Sequence, residues 1–515
     1  MRNWDAIVIG SGPNGLSAAA SIAEAGFSVL VIEASQEIGG GTRTLPLTLP
    51  GFRHDICSAI HPLAISSPAF SRRPLAEYGL EWVHPAIPLA HALDGGQAIA
   101  MERSLRTTAD RLGEDGEAYY RLLAPAVDHW QFLNDLAGGK WRTPRDSAGL
   151  LRLALQSARS AVGLMESRFR GAGAKALLAG LAGHANLPLE DAFSAGFGIS
   201  MGASGHAVGW PFPRGGAGRI AGALAGYLRS LGVEFETGAR VNSLDDLPPH
   251  RIALCDISPR ELLRISGSRL PGWFRARLAK FRYGPGAFKL DWALDGPIPW
   301  TAADCHRAGT VHVGGTADEI AAGERTVWEG NCAENPFVIV AQHTRFDPSR
   351  APVGKHTAWA YCHVPNGSQV DMSERIEGQI ERFAPGFRNR ILARSVLGPM
   401  ALEARNANLV GGDFCGGANS WRQLFTRPTM FAYLTPDPRI LLCSSATPPG
   451  AGVHGMCGYY AARVAISRLR QRARTRESAK SAPTAAKVVP TRAVRVAVAI
   501  AIGAATLVRW RRRIG

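Results

Sequence analysis

Residues 5–44 read DAIVIGSGPNGLSAAASIAEAGFSVLVIEASQEIGGGTRT, and this stretch decides the fold class. An apolar run at residues 6–9 leads into three spaced glycines, Gly10, Gly12 and Gly15, and an alanine-rich run follows them. Each of the three positions requires glycine for a different physical reason. The first allows a tight turn, the second lets the backbone approach a pyrophosphate, and the third lets a helix pack against the strand. The stretch therefore predicts a strand, a glycine turn and a helix that begins at the turn.

The residues after the turn indicate its ligand. A helix N-terminus, here containing Pro13 and Asn14, presents unpaired N–H groups and the positive end of the helix dipole, both of which favour phosphate. A second apolar run at residues 29–32 ends on Glu33, 18 residues after Gly15. A carboxylate at that position can accept the hydroxyls of an adenosine ribose. Motif and context together predict an adenine-dinucleotide site.

A second glycine cluster narrows the cofactor. Gly39, Gly40 and Gly41 begin six residues after the acid and lead into Arg43 and Thr44, which is not part of the NAD pattern. The cluster resembles the extended FAD fingerprint of the flavoprotein oxidoreductases, which include amine oxidases, phytoene desaturases and their relatives. The resemblance implies FAD as the cofactor, with the glycine backbone and the arginine near the phosphates and the flavin.

A middle segment is interpreted as a second contribution to the nucleotide domain. Residues 210–218 form a glycine-rich turn, which a helix and an amphipathic strand at residues 233–244 are predicted to follow. The resemblance implies that Val241 of this strand lies beside adenine. The glycines at 216 and 218 do not indicate a second nucleotide site, because prolines precede them in place of an apolar strand. A dedicated NADPH domain is therefore not predicted.

A third contribution is predicted near the C-terminus. A short apolar strand at residues 440–443 precedes a glycine-rich turn and a helix, and such a turn supplies backbone donors at a helix start. The segment resembles the C-terminal signature of phytoene desaturases, although it has Pro448 and Ser444 at positions where other residues are usual, and it lacks the Gly-Asp of amine oxidases. The resemblance implies that the turn lies along the flavin ring. The cofactor-binding residues predicted here are Gly450, Gly452, Gly455 and Met456.

These three segments together resemble those of the phytoene dehydrogenase-like FAD-dependent oxidoreductases. This group includes the pyridine nucleotide-disulfide oxidoreductase domain-containing protein 2 type. The likeness covers about residues 4–468, and residues 51–55, 345–352 and 419–424 add to it. It implies an α/β fold with a Rossmann-like FAD-binding domain built from discontinuous segments and an α+β substrate domain. The implied boundaries are 1–65, 206–265 and 401–468 for the first domain, and 66–205 and 266–400 for the second.

Two side chains are candidates for catalysis. Lys289 lies in a predicted alternating strand, where the resemblance to amine oxidases implies a lysine that holds water near flavin N5. His454 lies in the predicted flavin-side turn and could donate a proton or a hydrogen bond. His61, His343 and His363 are weaker candidates. An apolar tunnel could also suffice without any acid–base pair, since the flavin supplies the hard chemistry.

The last part of the chain differs from the body. Residues 468–515 contain 13 Lys or Arg and one acid, so +12 of the net charge of +16 lies there. This uneven charge argues against a nucleic-acid enzyme. A basic linker is expected at residues 469–492 and a membrane-attaching tail helix at 493–515, where the uncharged run 496–508 is followed by Trp510 among arginines. The eight cysteines show no CxxC spacing and no zinc pattern, and a reducing cytoplasmic location at the inner face of a membrane is expected.

The preferred function is an FAD-dependent dehydrogenase or desaturase of an apolar substrate, such as an isoprenoid or another lipid. Electrons would leave to a quinone or to oxygen. Two alternatives stay open at this point. One is an amine-oxidase-like flavoprotein, which would need an aromatic cage, and the other is an FAD-binding regulatory protein with little turnover.

Overall fold

The computed structural model describes residues 2–137, 147–424, 426–428 and 431–481. By internal contacts the chain divides into Met1–Ser467 and Arg468–Gly515. The predicted tail at 493–515, with its uncharged run, lies outside the described residues. In the part that is described, no helix is long and apolar enough to cross a membrane.

The strands in the described residues are β1 (Trp4–Ile9), β2 (Val29–Ile32), β3 (Thr44–Leu45), β4 (His54–Asp55), β5 (Trp82–Val83), β6 (Ile87–Leu93), β7 (Gln97–Met101), β8 (Phe212–Pro213), β9 (Glu234–Glu236), β10 (His250–Cys255), β11 (Gly286–Leu294), β12 (Ala308–Val313), β13 (Val338–Ala341), β14 (His356–Val364), β15 (Ile391–Leu397) and β16 (Ile440–Leu442).

The helices are α1 (Pro13–Glu24), α2 (Pro62–Ser66), α3 (Pro68–Ser71), α4 (Leu105–Arg111), α5 (Gly116–Asp128), α6 (Trp130–Ala137), α7 (Ser147–Ser157), α8 (Ala161–Arg168), α9 (Ala172–Gly183), α10 (Ser194–Ala207), α11 (Gly218–Ser230), α12 (Pro259–Ile265), α13 (Gly272–Ala279), α14 (Ala303–Arg307), α15 (Ala317–Trp328), α16 (Ser373–Phe383), α17 (Pro399–Arg405), α18 (Trp421–Leu424) and α19 (Met456–Ser481).

A parallel five-stranded sheet carries the glycine turn. Its order is β16-β10-β1-β2-β9, so it is assembled from three separate parts of the chain. Fully buried parallel strands are continuous apolar runs, and β2 (VLVI) follows this rule. The carboxyl ends of parallel strands meet at one edge, which brings together the residues after β1, β2, β10 and β16. The prediction of a Rossmann-like domain built from discontinuous segments is confirmed.

Two elements differ from their predicted lengths. The strand expected at residues 233–244 is only Glu234–Glu236, because Gly238 adopts a φ of +70° and turns the chain away from the sheet edge. Helix α19 extends to Ser481, so the helix continues through the first part of the linker expected at 469–492. In both places the residues near the end of the element are polar and show little hydrophobic periodicity, so the sequence does not determine where the element ends.

A second, seven-stranded sheet forms the core of the other domain, in the order β15-β11-β14-β13-β12-β6-β7. It is mixed, since β6 and β12 run parallel whereas the other neighbours are antiparallel. One face of β11 presents Phe288, Leu290 and Trp292 to an apolar cluster shared with α16. The opposite face presents Lys289 and Asp291, and helices α5, α8, α9 and α10 pack over that side of the sheet. The predicted alternation of β11 is confirmed.

A buried charge cluster ties distant segments together. Nη1 of Arg350 donates to Asp55 at 2.6 Å and its Nε to Asp347 at 3.2 Å, and all three side chains are fully buried. Asp55 also accepts from Thr44 Oγ1 and from the backbone N–H of Ala217. Burial alone would raise the pKa of Asp55, but the charges of Arg350 and His343 and the hydrogen bonds from Thr44 and Arg350 together lower the pKa to about 2. The motifs at 51–55, 210–218 and 345–352 are thus parts of one cluster that joins both domains.

Candidate functional site

The glycine turn between β1 and α1 is closed by backbone packing. Gly10 has a φ of +97°, and a Cβ on Gly15 would overlap the carbonyl oxygen of Gly10. Helix α1 begins at Pro13 with Gly12 as its N-cap residue. The side chain of Asn14 lines a large cavity, and its Oδ1 is buried without a hydrogen-bond partner among the described residues. The helix N-terminus beside this cavity is suited to a phosphate group, and the free amide oxygen of Asn14 is suited to a donor on the same ligand.

Glu33 lies directly after β2 and lines the same cavity. Its Oε2 accepts hydrogen bonds from the backbone N–H and the Oγ of Ser11, at 2.9 and 2.7 Å, and its Oε1 accepts from the N–H of Ser35 at 2.8 Å. These bonds hold the carboxylate at the carboxyl edge of the sheet. This is the position from which a carboxylate reaches the ribose of a dinucleotide.

Asp256 is a site residue that the sequence reasoning did not single out. It follows β10, and its Oδ2 accepts the backbone N–H of Gly15 at 2.8 Å and lies 2.7 Å from where a Cβ on Gly12 would be. Burial, and to a smaller extent the nearby Glu33, raise the pKa of Asp256 to about 7. The available signal was the apolar run at residues 252–255, which ends on this acid, but the partner of the acid lies 241 residues away in the chain.

The second glycine cluster lies against the first. Gly39 and Gly40 have positive φ values of +118° and +54°, and a Cβ on Gly40 would approach the Cα of Gly12 to 3.1 Å. The guanidinium of Arg43 donates to the carbonyl of Gly40 and, at 2.7 Å, to Ser35 Oγ. The two clusters therefore form one wall of the cavity. Thr44 instead lies in the charge cluster, where its hydroxyl donates to Asp55 and accepts the N–H of Gly218.

The C-terminal turn brings Gly452 to the cavity wall and places His454 elsewhere. Gly450, Gly452 and Gly455 all have positive φ values, as a tight turn before a helix requires. The Nδ1 of His454 accepts the backbone N–H of Met456 at 3.0 Å, and its Nε2 lies 3.2 Å from the carbonyl of Ala451. Burial lowers the pKa of His454 to about 4, so the ring is neutral near pH 7. His454 does not line the cavity as the structure describes it, and its geometry is that of a residue that caps α19.

Substituting His454 by Ala is therefore expected to lower stability and to leave catalysis nearly unchanged. Loss of a cap of this kind costs about 1 kcal/mol of unfolding free energy. Urea unfolding of the FAD-loaded protein and the rate of flavin reduction measure the two effects. A loss of reduction rate of about 100-fold with unchanged stability would contradict the capping role.

Lys289 is buried and paired. Only 2% of its side chain is exposed, it lines the cavity, and its Nζ donates to Asp291, which is fully buried. Burial raises the pKa of Asp291 to about 6, and the charge of Lys289 opposes this increase without cancelling it. His54 Nδ1 lies 3.7 Å from the other carboxylate oxygen, and burial, followed by the charge of Lys289, lowers the pKa of His54 to about 3. Lys289 therefore does not lie on a solvent-exposed face of its strand.

The three weaker histidine candidates take different places. His61 lines the cavity and its Nε2 lies 2.6 Å from Ser58 Oγ. His343 lies in the charge cluster, 3.9 Å from Asp55. His363 is buried against Glu324, with Nδ1 2.8 Å from a carboxylate oxygen. Only His61 of the three could contact a ligand in the cavity.

One cavity of about 1030 Å³ joins the glycine turns to the face of the seven-stranded sheet. The predicted residues that line it are Gly10, Gly12, Pro13, Asn14, Glu33, Gly40, Gly41, Arg43, Val241, Lys289 and Gly452. The predicted residues outside its lining are Gly15, Gly39, Thr44, Gly450, His454, Gly455 and Met456. Val241 borders the nucleotide end although it belongs to no strand. The donors, glycines and carboxylate at this end fit the adenosine and pyrophosphate of FAD, and the cavity continues to Lys289 where a flavin ring would extend.

Comparisons with known proteins agree with this geometry. Residues 8–72 match the family model described as an NAD(P)-binding Rossmann-like domain. Pyridine nucleotide-disulfide oxidoreductase domain-containing protein 2 of Mus musculus is 25% identical over 566 residues, which cover 91% of this chain and 94% of that protein. An oxidoreductase from Methanosarcina mazei has 16% identity and a TM-score of 0.59, over 91% of this chain and 100% of the other. Cyclohexylamine oxidase from Brevibacterium oxydans IH-35A has 15% identity and a TM-score of 0.55, over 91% and 100%.

The solved structures, at these identities, support the fold, and the mouse relative supports the resemblance along most of both chains. The predictions of a Rossmann-like flavoprotein fold, of an oxidoreductase and of FAD as its cofactor are confirmed. The similarity to these proteins does not identify the substrate of this chain. By sequence the chain is similar to pyridine nucleotide-disulfide oxidoreductase domain-containing protein 2 along most of both chains, and by fold it is similar to the solved oxidoreductase and amine oxidase structures.

Proposed function

We propose that the protein is an FAD-dependent dehydrogenase that desaturates an apolar substrate of isoprenoid or other lipid type. The observation that carries the proposal is the lining of the cavity beyond Lys289. That part is formed mainly by aromatic and aliphatic side chains, namely Ile60, Leu63, Phe197, Met201, Trp210, Ile339, Trp359, Tyr361 and Phe414. Binding an extended hydrocarbon there is favoured by roughly 25 cal/mol per Å² of apolar surface removed from water.

The carboxylates that border the cavity argue against a cationic amine as the substrate. Glu33 and Asp256 lie at the nucleotide end, and Glu261 and Glu403 are paired with arginines. Asp413 lies nearer the substrate end, but it accepts three backbone N–H groups, those of Gly284, Cys415 and Gly417. Among the residues described, none of these carboxylates is left to pair with an ammonium group. Trp359 and Tyr361 do supply aromatic rings, so the amine oxidase alternative is retained as an outcome of the test.

When bound, FAD would supply a hydride acceptor at N5. The protein's own residues bind and orient the substrate and exclude water from the cavity. The apolar walls hold the substrate and exclude water, and the Lys289–Asp291 pair keeps a hydrogen-bond donor at the cavity wall. The glycine turn before α19 contributes the backbone of Gly452 to the same wall. Nothing in this arrangement requires a side chain to remove a proton from carbon at the start of the reaction.

Two further parts of the proposal concern partners. Electrons are expected to leave to a quinone or to oxygen, since no second Rossmann fingerprint for a nicotinamide nucleotide occurs in the sequence. The basic tail at 493–515 is expected to attach the protein to a membrane surface, which would suit delivery of a lipid substrate. Both remain predictions.

The proposal is tested by anaerobic titration of the purified FAD-loaded protein. Squalene and geranylgeraniol serve as apolar probes, and putrescine and cyclohexylamine as amines. Bleaching of the flavin band by an apolar probe supports the dehydrogenase, whereas bleaching by an amine alone would replace it with an amine oxidase. Flavin that no probe reduces would contradict the proposal in favour of a regulatory FAD-binding protein. Ile339→Trp provides a control, because filling the cavity at the sheet should prevent reduction while the flavin stays bound.

A further inference from the structure

Three histidines form a chain that ends at the cavity. His184 follows α9, His312 lies in β12, and His91 lies opposite His312 in β6. The Nε2 atoms of His184 and His312 are 2.9 Å apart, and Nε2 of His91 lies 2.8 Å from the carbonyl oxygen of Gly315. His91 and His312 are fully buried, whereas His184 is partly exposed and lines the cavity. The chain thus connects the sheet interior to the substrate end of the cavity.

All three rings are neutral near pH 7. Burial lowers the pKa of His91 to about 4 and that of His184 to about 3. Burial, with the neighbouring His184 and His91, also lowers the pKa of His312 well below its usual value. A neutral imidazole has one N–H donor and one acceptor nitrogen. The hydrogen-bond partner of one nitrogen therefore determines the role of the other.

The inner end of the chain determines the first tautomer. Nε2 of His91 faces a carbonyl oxygen, so it carries the hydrogen and Nδ1 is an acceptor. The Nδ1 atoms of His91 and His312 both face Gly180 of α9, and they lie 2.8 and 2.5 Å from where a Cβ on Gly180 would be. Neither Nδ1 has a hydrogen-bond partner among the described residues. The two atoms therefore face the same small space beside a glycine.

This placement determines the other two tautomers. If Nδ1 of His312 had no hydrogen, two lone pairs would face each other in a buried space, which is unfavourable. A hydrogen on Nδ1 of His312 instead places the positive end of an N–H dipole in the space that the lone pair of His91 faces, although the two atoms are not hydrogen-bonded to each other. Nε2 of His312 is then the acceptor, so Nε2 of His184 donates across the 2.9 Å contact. It follows that Nδ1 of His184 is an acceptor.

We infer that Nδ1 of His184 is the binding site for a hydroxyl group on an otherwise apolar substrate. This inference rests on the proposed function, since it takes the cavity as the substrate site. In the part of the chain that is described, this nitrogen has no hydrogen-bond partner, and the ring of His184 packs against Trp210 at a centroid distance of 5.3 Å. An acceptor surrounded by apolar side chains selects a ligand that brings one donor and is apolar elsewhere. The substrate class is thereby narrowed to hydroxylated lipids or isoprenoids.

The inference is tested by binding, independently of turnover. The FAD-loaded protein is titrated with 1-decanol and with its methyl ether, 1-methoxydecane, and the dissociation constants are taken from the perturbation of tryptophan fluorescence. We expect the alcohol to bind roughly 3- to 10-fold more tightly, as for one hydrogen bond of ordinary net strength. His184→Leu should reduce the ratio to about 1, whereas Met201→Leu, a cavity-lining control of similar volume, should retain it. Equal binding of alcohol and ether in the unmodified protein, or a ratio that survives in His184→Leu, would overturn the inference.

A measurement on the unmodified protein covers the case in which His184→Leu does not fold. With ¹⁵N-labelled histidine, we expect His184 as the Nε2–H tautomer, with an Nδ1 signal that shifts when 1-decanol binds and not when the ether binds. Observation of the Nδ1–H tautomer would contradict the deduction. Failure of every probe to reduce the flavin would count against the proposed dehydrogenation alone, because the hydroxyl preference is measured without turnover.

Discussion

Gly15→Ala is expected to yield protein that does not hold FAD. A Cβ at this position would overlap the carbonyl oxygen of Gly10, and the added atom would also come within 3.0 Å of the Asp256 carboxylate that accepts the N–H of Gly15. Backbone on one side and a buried carboxylate on the other leave no flexible group to move aside. The start of α1 would have to shift away from β1, and the phosphate site would shift with it. We expect FAD affinity to fall at least about 100-fold, which corresponds to roughly 2.7 kcal/mol.

The measurement is the ratio of flavin absorbance to protein after purification and after reconstitution with excess FAD. Gly222→Ala in α11 is the matched control, because a Cβ there meets nothing within 4 Å. That variant should keep its flavin and gain up to about 1 kcal/mol of stability through helix propensity. A Gly15→Ala protein with a full complement of FAD would show that the turn does not form the phosphate site.

Lys289→Met is expected to produce the second large effect, because it leaves Asp291 fully buried without its cation. Removing one partner of a buried ion pair costs about 3–5 kcal/mol. Asp291→Asn should destabilise for the converse reason. In the double variant Lys289→Met/Asp291→Asn no charge of the pair remains buried, so its destabilisation should be smaller than the sum of the two single effects by about 2 kcal/mol or more. Urea unfolding of the four proteins gives this coupling energy.

The same set of variants tests the catalytic role of Lys289. If the ammonium group assists hydride transfer, the double variant should bind FAD and fold but be reduced by substrate about 100- to 1000-fold more slowly, the usual loss of one electrostatic donor. Reduction at the unmodified rate would assign the pair a structural role only. A coupling energy below about 0.5 kcal/mol would show instead that the two side chains do not interact.

How far the site could be predicted depends on the distance in the chain between interacting groups. The turn at Gly10–Gly12–Gly15 and the acid Glu33 belong to one strand–helix–strand unit, so their spacing along the chain predicts their arrangement in space. The strand that carries Lys289 was predicted from alternation, which is also a local property, whereas the resemblance to amine oxidases made Lys289 a catalytic candidate. Asp256 was missed because only the parallel pairing of β1 with β10 places it beside Gly15.

His454 shows the opposite case. Its position in a glycine-rich turn before a helix was predicted correctly, but the direction of its side chain was not deducible from that position. The ring bonds to the backbone of its own turn and at the start of α19, which is a common use of a polar residue before a helix. The chain His184–His312–His91 had no signal in the sequence, since its members come from three elements that are adjacent only in the folded domain.

The amino-acid sequence by itself determined the fold class, the dinucleotide turn, the FAD-type second glycine cluster and the alternation of β11, because each depends on residues close together in the chain. Only the tertiary structure decided which polar groups are paired. Lys289 with Asp291, Asp256 with Gly15, and Arg350 with Asp55 and Asp347 are all buried, and a buried charge or donor must find a partner wherever the fold provides one. Burial and pairing are properties of contacts between distant segments, and for that reason the chemistry of the cavity wall was decided by the packing of the two sheets and their helices.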